Sequence, residues 1–262
     1  MSAMNEIDKF KIEVATNISG LRSDLDVHAL SRIWMREITR HKYAYNFSWL
    51  GRPAIQVPQD MVALQELVWR IRPDLIIETG IAHGGSLILS ASLLTMLDYC
   101  DAVESGCTLN PLESHRSVIG IDIDIRDHNR EAIEAHPMSG KIQMIQGSSI
   151  DPNVVENVRS LASKYQRTLV LLDSNHTHEH VLAELNSYAP LVGIGSYCVV
   201  YDTLIEDMPG DLLGNRPWRK GNNPKTAVNE FLLHNSNFAV DYDLEAKILI
   251  SVAPGGYLRR VC

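Results

Sequence analysis

Residues 75–86 read LIIETGIAHGGS, and this stretch predicts the fold of the chain. A short apolar run rich in β-branched residues leads to Glu78, and three glycines follow within residues 80–85. An apolar run with helical spacing begins at Leu87. We therefore expect a strand, a tight turn and a helix N-terminus, the arrangement in which α/β proteins hold nucleotide-like ligands. Glycines suit such a turn because they lack a Cβ and adopt positive φ without strain.

The spacing of the glycines narrows the class of ligand. It is Gly-x-x-x-Gly-Gly, which differs from the Gly-x-Gly-x-x-Gly of dinucleotide folds and from the Gly-Lys-Ser/Thr of phosphate loops. No lysine follows the glycines to contact a triphosphate. The turn therefore predicts a nucleoside ligand with little phosphate, and S-adenosylmethionine is the obvious member of that class.

Strand and helix patterns alternate through the rest of the chain, which indicates a Rossmann-like α/β sheet. Short runs rich in isoleucine and valine predict buried parallel strands at 74–79, 117–123, 141–146, 168–173 and 196–202. Helical spacing predicts helices at about 85–98, 126–136, 151–164, 178–188 and 224–235.

The C-terminal part departs from this alternation. Segments 238–240, 247–252 and 257–261 predict strands with little helix between them. Because Gly255-Gly256 reads as a hairpin turn, we expect these last strands to be antiparallel.

The N-terminal part also differs from the core. Helical spacing from Lys9 to about His41 and a dense aromatic loop at 43–53 predict an α-helical cap over residues 1–73. Residues 74–262 then form the α/β core, to which the cap is fused.

Composition limits the function classes. The 262 residues are 45% hydrophobic and 21% charged, as in ordinary globular proteins, and carry a net charge of −8. An acidic chain argues against a nucleic-acid substrate, because binding phosphates requires clustered cations. The apolar runs are shorter than the ~20 residues that span a bilayer, and the N-terminus lacks a signal-like apolar core. We expect a cytoplasmic protein without a membrane span.

Polar residues follow the later strands at the edge where open α/β sheets bind ligands. Asp122 ends the second strand and suits hydrogen bonds to a ribose, although the nearby Asp124 could instead cap the next helix. Ser148 and Ser149 follow the third strand, where they could line an adenine pocket or cap a turn.

Two further acids lie at the same predicted edge. Asp173 and Asp202 follow the fourth and fifth strands, and their hard oxygen atoms predict part of a magnesium site. Both could also be simple helix caps. The spacing of His176, His178 and His180 is poor for zinc, because residues two apart on a helix do not share a face.

Four segments together resemble the cephalosporin hydroxylase family, and the resemblance runs from about Tyr43 to the C-terminus. They are Glu78-Thr79-Gly80 with Gly84-Gly85-Ser86, Gly120 to Arg126, Leu172 to His178, and Gly221 to Ala227. That family has the class I S-adenosylmethionine-dependent methyltransferase fold, and its relatives include rhamnosyl O-methyltransferases. The resemblance therefore implies an O-methyltransferase acting on a small-molecule hydroxyl, with a sugar hydroxyl favoured.

The resemblance also implies roles for individual residues. The cofactor would contact Glu78, Gly80, Gly84, Gly85, Ser86, Asp122, Ser148, Ser149 and Asp173. Asp173 and Asp202 would hold Mg²⁺, although Tyr201 stands where relatives often carry a second acid. His176 would act as the base, with His178 in reserve.

The acceptor residues are the least specific expectation. Tyr45, Phe47 and Trp49, with the 203–223 loop and Lys225, would shape the acceptor pocket. Two rival interpretations remain at this stage, a true metal-dependent hydroxylase and a non-catalytic S-adenosylmethionine-binding partner subunit. The helical cap suggests a homo-oligomer.

Overall fold

The computed structural model describes residues 5–111 and 113–262, and it begins with a helical segment. Helices α1 (Glu6–Ser23) and α2 (Leu25–Arg40) replace the single stretch expected there. They separate at Asp24, because its carboxylate accepts hydrogen bonds from the backbone N–H of Asp26 and Val27 and so starts a new helix.

The aromatic loop contains a small hairpin that leads to the core. Strands β1 (Phe47–Trp49) and β2 (Arg52–Ala54) pair antiparallel, and α3 (Pro58–Ile71) follows. Proline at the first position of α3 is favourable because its missing N–H would have no partner there.

The remaining elements alternate as the sequence predicts, except near the C-terminus. They are β3 (Leu75–Thr79), α4 (Gly85–Ser105), β4 (Ser117–Asp122), α5 (Asp127–Glu134), β5 (Ile142–Gln146), α6 (Pro152–Ala162), β6 (Thr168–Leu172), α7 (His178–Tyr188), β7 (Tyr197–Val200), α8 (Pro224–His234), β8 (Phe238–Val240), α9 (Tyr242–Ile248) and β9 (Tyr257–Arg260).

The central sheet confirms the predicted fold class. Within the described residues its seven strands lie in the order β5-β4-β3-β6-β7-β9-β8, and β9 runs in the direction opposite to the other six. Every residue of β3 and β6 is buried, as expected for strands covered by helices on both faces. The strand order reverses at β3, so its carboxyl end is the expected ligand-binding point.

The prediction of a strand at 247–252 is wrong. Residues up to Ile248 belong to α9, which starts where Asp241 accepts a hydrogen bond from Leu244 N. Ser251 and Val252 of the same segment form hydrogen bonds to a side chain and not to a neighbouring strand. The buried Asp60 accepts hydrogen bonds from Ser251 Oγ (2.6 Å) and Val252 N (2.9 Å).

The turn at Gly255-Gly256 has a different role from the predicted one. It leads from the loop held by Asp60 into β9 and does not connect two strands. The partners of β9 are β7 and β8, both antiparallel, so the orientation of the last strands is as predicted.

Helix α4 carries the glycine turn at its N-terminus and is the longest apolar element. Within the described residues it is the one helix long and apolar enough, by length and composition, to cross a membrane. Half of its most apolar window is buried in this structure, as in the core helix of an α/β protein.

Candidate cofactor and metal site

The glycine turn after β3 is held by the predicted aspartate. Asp122 Oδ2 accepts hydrogen bonds from the backbone N–H of Ile81 (2.8 Å) and Ala82 (3.3 Å), and Oδ1 accepts one from Asp124 N (3.0 Å). The alternative that Asp124 caps the next helix is wrong, because the residue at the N-cap of α5 is Arg126.

A second set of hydrogen bonds holds the glycine turn, and the sequence did not predict it. Arg52 Nη2 donates to His83 O (2.6 Å) and to Asn129 Oδ1 (3.0 Å), while Asn129 Nδ2 donates to Ala82 O (3.0 Å). Arg52 lies on β2 and Asn129 on α5, so no local sequence pattern connects them. The hairpin before the core therefore helps to fix the shape of the turn.

The glycines are required by packing as well as by backbone conformation. Gly80 has a φ of +88°, and a Cβ there would lie 2.1 Å from Asp173 O. A Cβ on Gly84 would overlap Ile133, and one on Gly85 would overlap Pro53. The turn thus allows the ends of β3 and β6, the hairpin and α5 to approach one another.

A cavity of about 350 Å³ opens at this edge of the sheet. It brings together most of the residues predicted to bind the cofactor: Gly80, Gly85, Ser86, Asp122, Ser148, Ser149 and Asp173. We call it the first cavity. Gly84 and Glu78 are not in its wall, and Glu78 lies buried behind Ser86, whose hydroxyl donates to its carboxylate.

Ser149 belongs to a polar network that the sequence did not reveal. Its hydroxyl contacts Glu184 Oε1 (2.5 Å) and His180 Nε2 (3.0 Å). Ser174 makes the same two contacts at 2.6 and 3.2 Å. Because Glu184 is fully buried, it orders both serines and the ring of His180 in the wall of the first cavity.

Two buried side chains at the first cavity suit a ligand that brings hydrogen-bond donors or positive charge. One lines the cavity, and the other lies behind its wall. Gln56 is 3% exposed and lines the first cavity, and its Oε1 accepts no hydrogen bond from the described residues. Burial raises the pKa of Glu78 from 4.5 to about 7, despite the hydroxyls of Ser86 and Ser90. A sulfonium or ammonium group bound nearby would stabilise the carboxylate form.

A second cavity of about 360 Å³ adjoins the first. The two share Ile55, Asp173 and Trp218 in their walls. The second cavity is lined by aliphatic residues of α2 and of the 203–223 loop, together with Tyr43 and Tyr45. The helical cap therefore forms one wall of the second cavity, beside the first.

Three titratable side chains form a cluster around Asp173, which lines both cavities; Asp202 lines the second cavity, and His176 lines neither. Asp173, His176 and Asp202 place one ligand atom each within 4.8 Å of one another. His176 Nε2 lies 3.2 Å from Asp202 Oδ2, and its ring packs edge-on against Trp218 with 4.7 Å between centroids. Burial, and then the charge of Asp202, raises the pKa of Asp173.

The backbone at Asp202 supports a functional role for this cluster. Asp202 has a φ of +55°, in the left-handed region that is strained for most residues and that aspartate tolerates better than others. The preceding Tyr201 points into the core, where it is 2% exposed, and so belongs to the packing of the sheet.

Besides His176, four residues predicted to be catalytic or to shape the acceptor pocket line neither cavity: Phe47, Trp49, His178 and Lys225. Phe47 packs edge-on against Tyr43, with 5.0 Å between ring centroids. His178 Nδ1 bonds to Thr226 Oγ1 (2.8 Å), and its Nε2 lies 3.1 Å from Glu230 Oε2 on α8. Trp49 Nε1 donates to Ser92 Oγ on α4 (2.9 Å). Lys225 Nζ donates to Pro254 O (2.6 Å) and so supports the loop before β9.

Known proteins resemble this chain in sequence and in fold. A family model described as rhamnosyl O-methyltransferase/CmcI matches residues 41–261. The chain belongs to this family. The rhamnosyl O-methyltransferase of Mycobacterium tuberculosis is 28% identical over 231 residues, which cover 84% of this chain and 83% of the relative. That of Mycobacterium leprae is 28% identical over 176 residues, with coverages of 64% and 68%.

Solved structures share the fold at lower identity. A CmcI structure described as an Mg–SAM form has a TM-score of 0.54 at 19% identity and covers 83% of this chain and 78% of its own. An O-methyltransferase from Bacillus cereus in complex with SAH has a TM-score of 0.50 at 15% identity, with coverages of 80% and 81%.

Family membership confirms the resemblance seen in the sequence and the enzyme class. The chain is an S-adenosylmethionine-dependent O-methyltransferase. The rival hydroxylase is not supported, because the mostly parallel α/β sheet differs from the β-rich fold usual for such enzymes.

The buried carboxyl of Glu78 makes a prediction about stability. Its folded pKa lies above the unfolded value, so its contribution to stability is present below about pH 4.5 and is lost as the pH rises to about 7. Glu78→Gln removes this loss. The ligand-free variant should exceed the wild type in free energy of unfolding by on the order of 3 kcal/mol at pH 8, and by much less near pH 5.

Chemical denaturation of both proteins across this pH range measures the difference. Glu156→Gln, which changes an exposed glutamate on α6, is the matched control and should show no pH-dependent gain. A gain from Glu78→Gln that is the same at every pH would contradict the assignment.

Proposed function

We propose that the protein transfers the methyl group of S-adenosylmethionine to a sugar hydroxyl, assisted by Mg²⁺. The observation that carries this proposal is that Asp173 lines both cavities and forms a cluster with Asp202, which lines the second cavity, and His176. A donor in the first cavity and an acceptor in the second would face each other across these side chains.

The first cavity suits the cofactor along its whole length. Asp122 would accept hydrogen bonds from the ribose, because its oxygens face the cavity at the tip of β4. Ser148 and Ser149 would face the adenine, and Gly80 and Ser86 the methionine part. Gln56 adds an acceptor near that end. The bound cofactor supplies an electrophilic methyl group on a positively charged sulfur.

The metal proposal rests on the chemistry of the donor set. Asp173 and Asp202 offer carboxylate oxygens, which Mg²⁺ prefers, and water and acceptor oxygens would complete its octahedral shell. Burial and the neighbouring charge of Asp202 raise the pKa of Asp173, so a cation bound here would stabilise its carboxylate form. A bound Mg²⁺ would orient the acceptor hydroxyl and lower its pKa.

We assign His176 the role of base. Its Nε2 is engaged by Asp202, and its Nδ1 forms no hydrogen bond to the described residues. An imidazole suits softer metals than Mg²⁺ and suits proton transfer near neutral pH. His176 would take the hydroxyl proton while the acceptor oxygen bonds to the methyl carbon. The carbon–sulfur bond would break as the carbon–oxygen bond forms, and the sulfur would keep the electron pair to leave S-adenosylhomocysteine.

The choice of a sugar acceptor has two supports. The curated relatives are named rhamnosyl O-methyltransferases. The second cavity also offers Tyr45 and Trp218, aromatic faces against which a sugar ring can pack. Its aliphatic walls would accommodate an apolar part of the same acceptor.

His176→Ala tests the base against a ligand role. We expect turnover to fall by about two to four orders of magnitude, because a general base contributes that much, while affinities for S-adenosylhomocysteine and Mg²⁺ stay near wild type. Labelled S-adenosylmethionine with a panel of sugars measures turnover, and calorimetry measures both affinities. Loss of Mg²⁺ binding would make His176 a ligand, and unchanged turnover would remove it from the mechanism.

Asp202→Asn is the matched comparison within the same cluster. It should weaken Mg²⁺ binding and turnover together, since it removes a ligand charge. Addition of EDTA to the wild-type enzyme should then reproduce the loss of turnover. Turnover that persists in EDTA would contradict the role of the metal.

We also propose that the protein is a homo-oligomer. No residue of α1 is buried, and Phe10, Ile33 and Trp34 of the two cap helices are all about half exposed or more. Such apolar surface is usually covered by a partner. Light scattering should give a multiple of the 29.3 kDa chain mass, and a monomer at micromolar concentration would contradict the proposal.

A further inference from the structure

We propose that the acceptor carries an anionic group, a phosphate or a carboxylate, which Lys42 and Arg216 bind at the mouth of the second cavity. This inference rests on the proposed function and adds the charge of its substrate. Both residues line the cavity and both are exposed, so they lie at its rim.

The two cations come from separate segments that the fold brings together. Lys42 follows α2 in a left-handed turn with a φ of +51°. That turn is fixed by hydrogen bonds from Lys42 N to Thr39 O and from Tyr45 N to Lys42 O, both 2.9 Å. Arg216 comes from the 203–223 loop, and its guanidinium carbon lies 5.2 Å from the centre of the Trp218 ring.

Neither cation is neutralised by the protein. Lys42 and Arg216 form no ion pair with any residue in the described part of the chain, although the chain as a whole is acidic. The acids found among the described lining residues of this cavity are Asp173 and Asp202. Both belong to the cluster at the inner end, where they would be neutralised by a metal ion.

The charged side chains of the second cavity therefore differ between its two ends, with cations at the rim and acids at the inner end. Its rim would attract an anion, whereas at its inner end the charges of Asp173 and Asp202 would be balanced by a bound Mg²⁺. An acceptor with one anionic group is thus oriented with that group outward and a hydroxyl inward, toward His176. Orientation of this kind favours transfer, because the hydroxyl must face the methyl group.

Trp218 connects the inner end of the second cavity with its rim through two side-chain contacts. The ring of His176 lies 4.7 Å from that of Trp218, and Trp218 in turn lies beneath Arg216. Trp218 therefore contacts both the side chain assigned to the reacting hydroxyl and a side chain assigned to the anionic group. A single sugar ring packed on Trp218 would connect the two positions.

Binding of charged and neutral probes tests the inference. The probes are a nucleoside diphosphate rhamnose, glucuronic acid and methyl rhamnoside, each titrated by calorimetry with and without S-adenosylhomocysteine and Mg²⁺. At least one anionic probe should bind about tenfold or more tightly than methyl rhamnoside. The first two probes distinguish a phosphate from a carboxylate as the recognised group.

Variants then identify the residues responsible. Arg216→Met and Lys42→Met should each weaken binding of the anionic probe by roughly three- to tenfold, as expected for a screened charge contact. Both should leave the affinity for methyl rhamnoside unchanged. Arg216→Lys should restore part of the loss, because it keeps the charge. Lys220→Met is the matched control, an exposed lysine of the same loop outside the cavity.

Salt dependence separates a charge contact from a structural effect. The affinity of the wild type for the anionic probe should fall as the salt rises from about 50 to about 300 mM, and this slope should decrease in both Met variants. The inference is overturned if neither anion binds, if methyl rhamnoside binds as tightly, or if both variants behave as wild type. Methyl transfer to methyl rhamnoside with no preference for an anion would overturn it while leaving the proposed function intact.

Discussion

The close approach of two strand ends is the constraint on which the site depends. Gly80 ends β3 within contact of the backbone of Asp173, and any side chain at position 80 would collide with that carbonyl. Hydrogen bonds from Asp173 N to Thr79 O and from Gly80 N to Ile121 O tie the ends of β3, β4 and β6 together. The glycine turn, Asp122 and Asp173 therefore lie at one edge of the sheet because of how its strands pair.

The electrostatics of this edge favour cationic ligands. Glu78 and Asp173 both have raised pKa values because burial removes water from their carboxyl groups. Asp60, whose pKa is raised to about 6, adds a third acid nearby. A sulfonium cofactor and a divalent metal each bring the positive charge that these groups lack. Part of the binding free energy of the donor and of the metal would thus come from stabilising the buried carboxylates.

The sequence predicted the parts of the site that are local in the chain. Gly80, Asp122 and Asp173 each follow an apolar strand directly, so the periodicity of the strand places them at the sheet edge. Arg52 and Asn129 could not be predicted, because their partners are distant in sequence and their role appears only when the hairpin packs on the turn.

Contacts between residues distant in sequence also explain where the structure differs from the predicted strand and where His178 and Lys225 point. The segment 247–252 has a strand-like pattern, but the buried Asp60 provides hydrogen bonds that a strand would have taken from a neighbour. His178 and Lys225 lie within a motif-rich region, yet helix geometry turns them toward α8 and the loop before β9. The position of a residue in a motif therefore predicted which region of the fold it lies in better than it predicted where its side chain points.

The central claim is that a divalent metal lies between donor and acceptor at the meeting point of the two cavities. A crystal structure with S-adenosylhomocysteine and Mn²⁺, examined by anomalous scattering, tests it most directly. The account predicts a peak bonded to Asp173 and Asp202, with His176 beside it and the sulfur of the product in the first cavity. Product bound in the first cavity with no peak at these aspartates would contradict it.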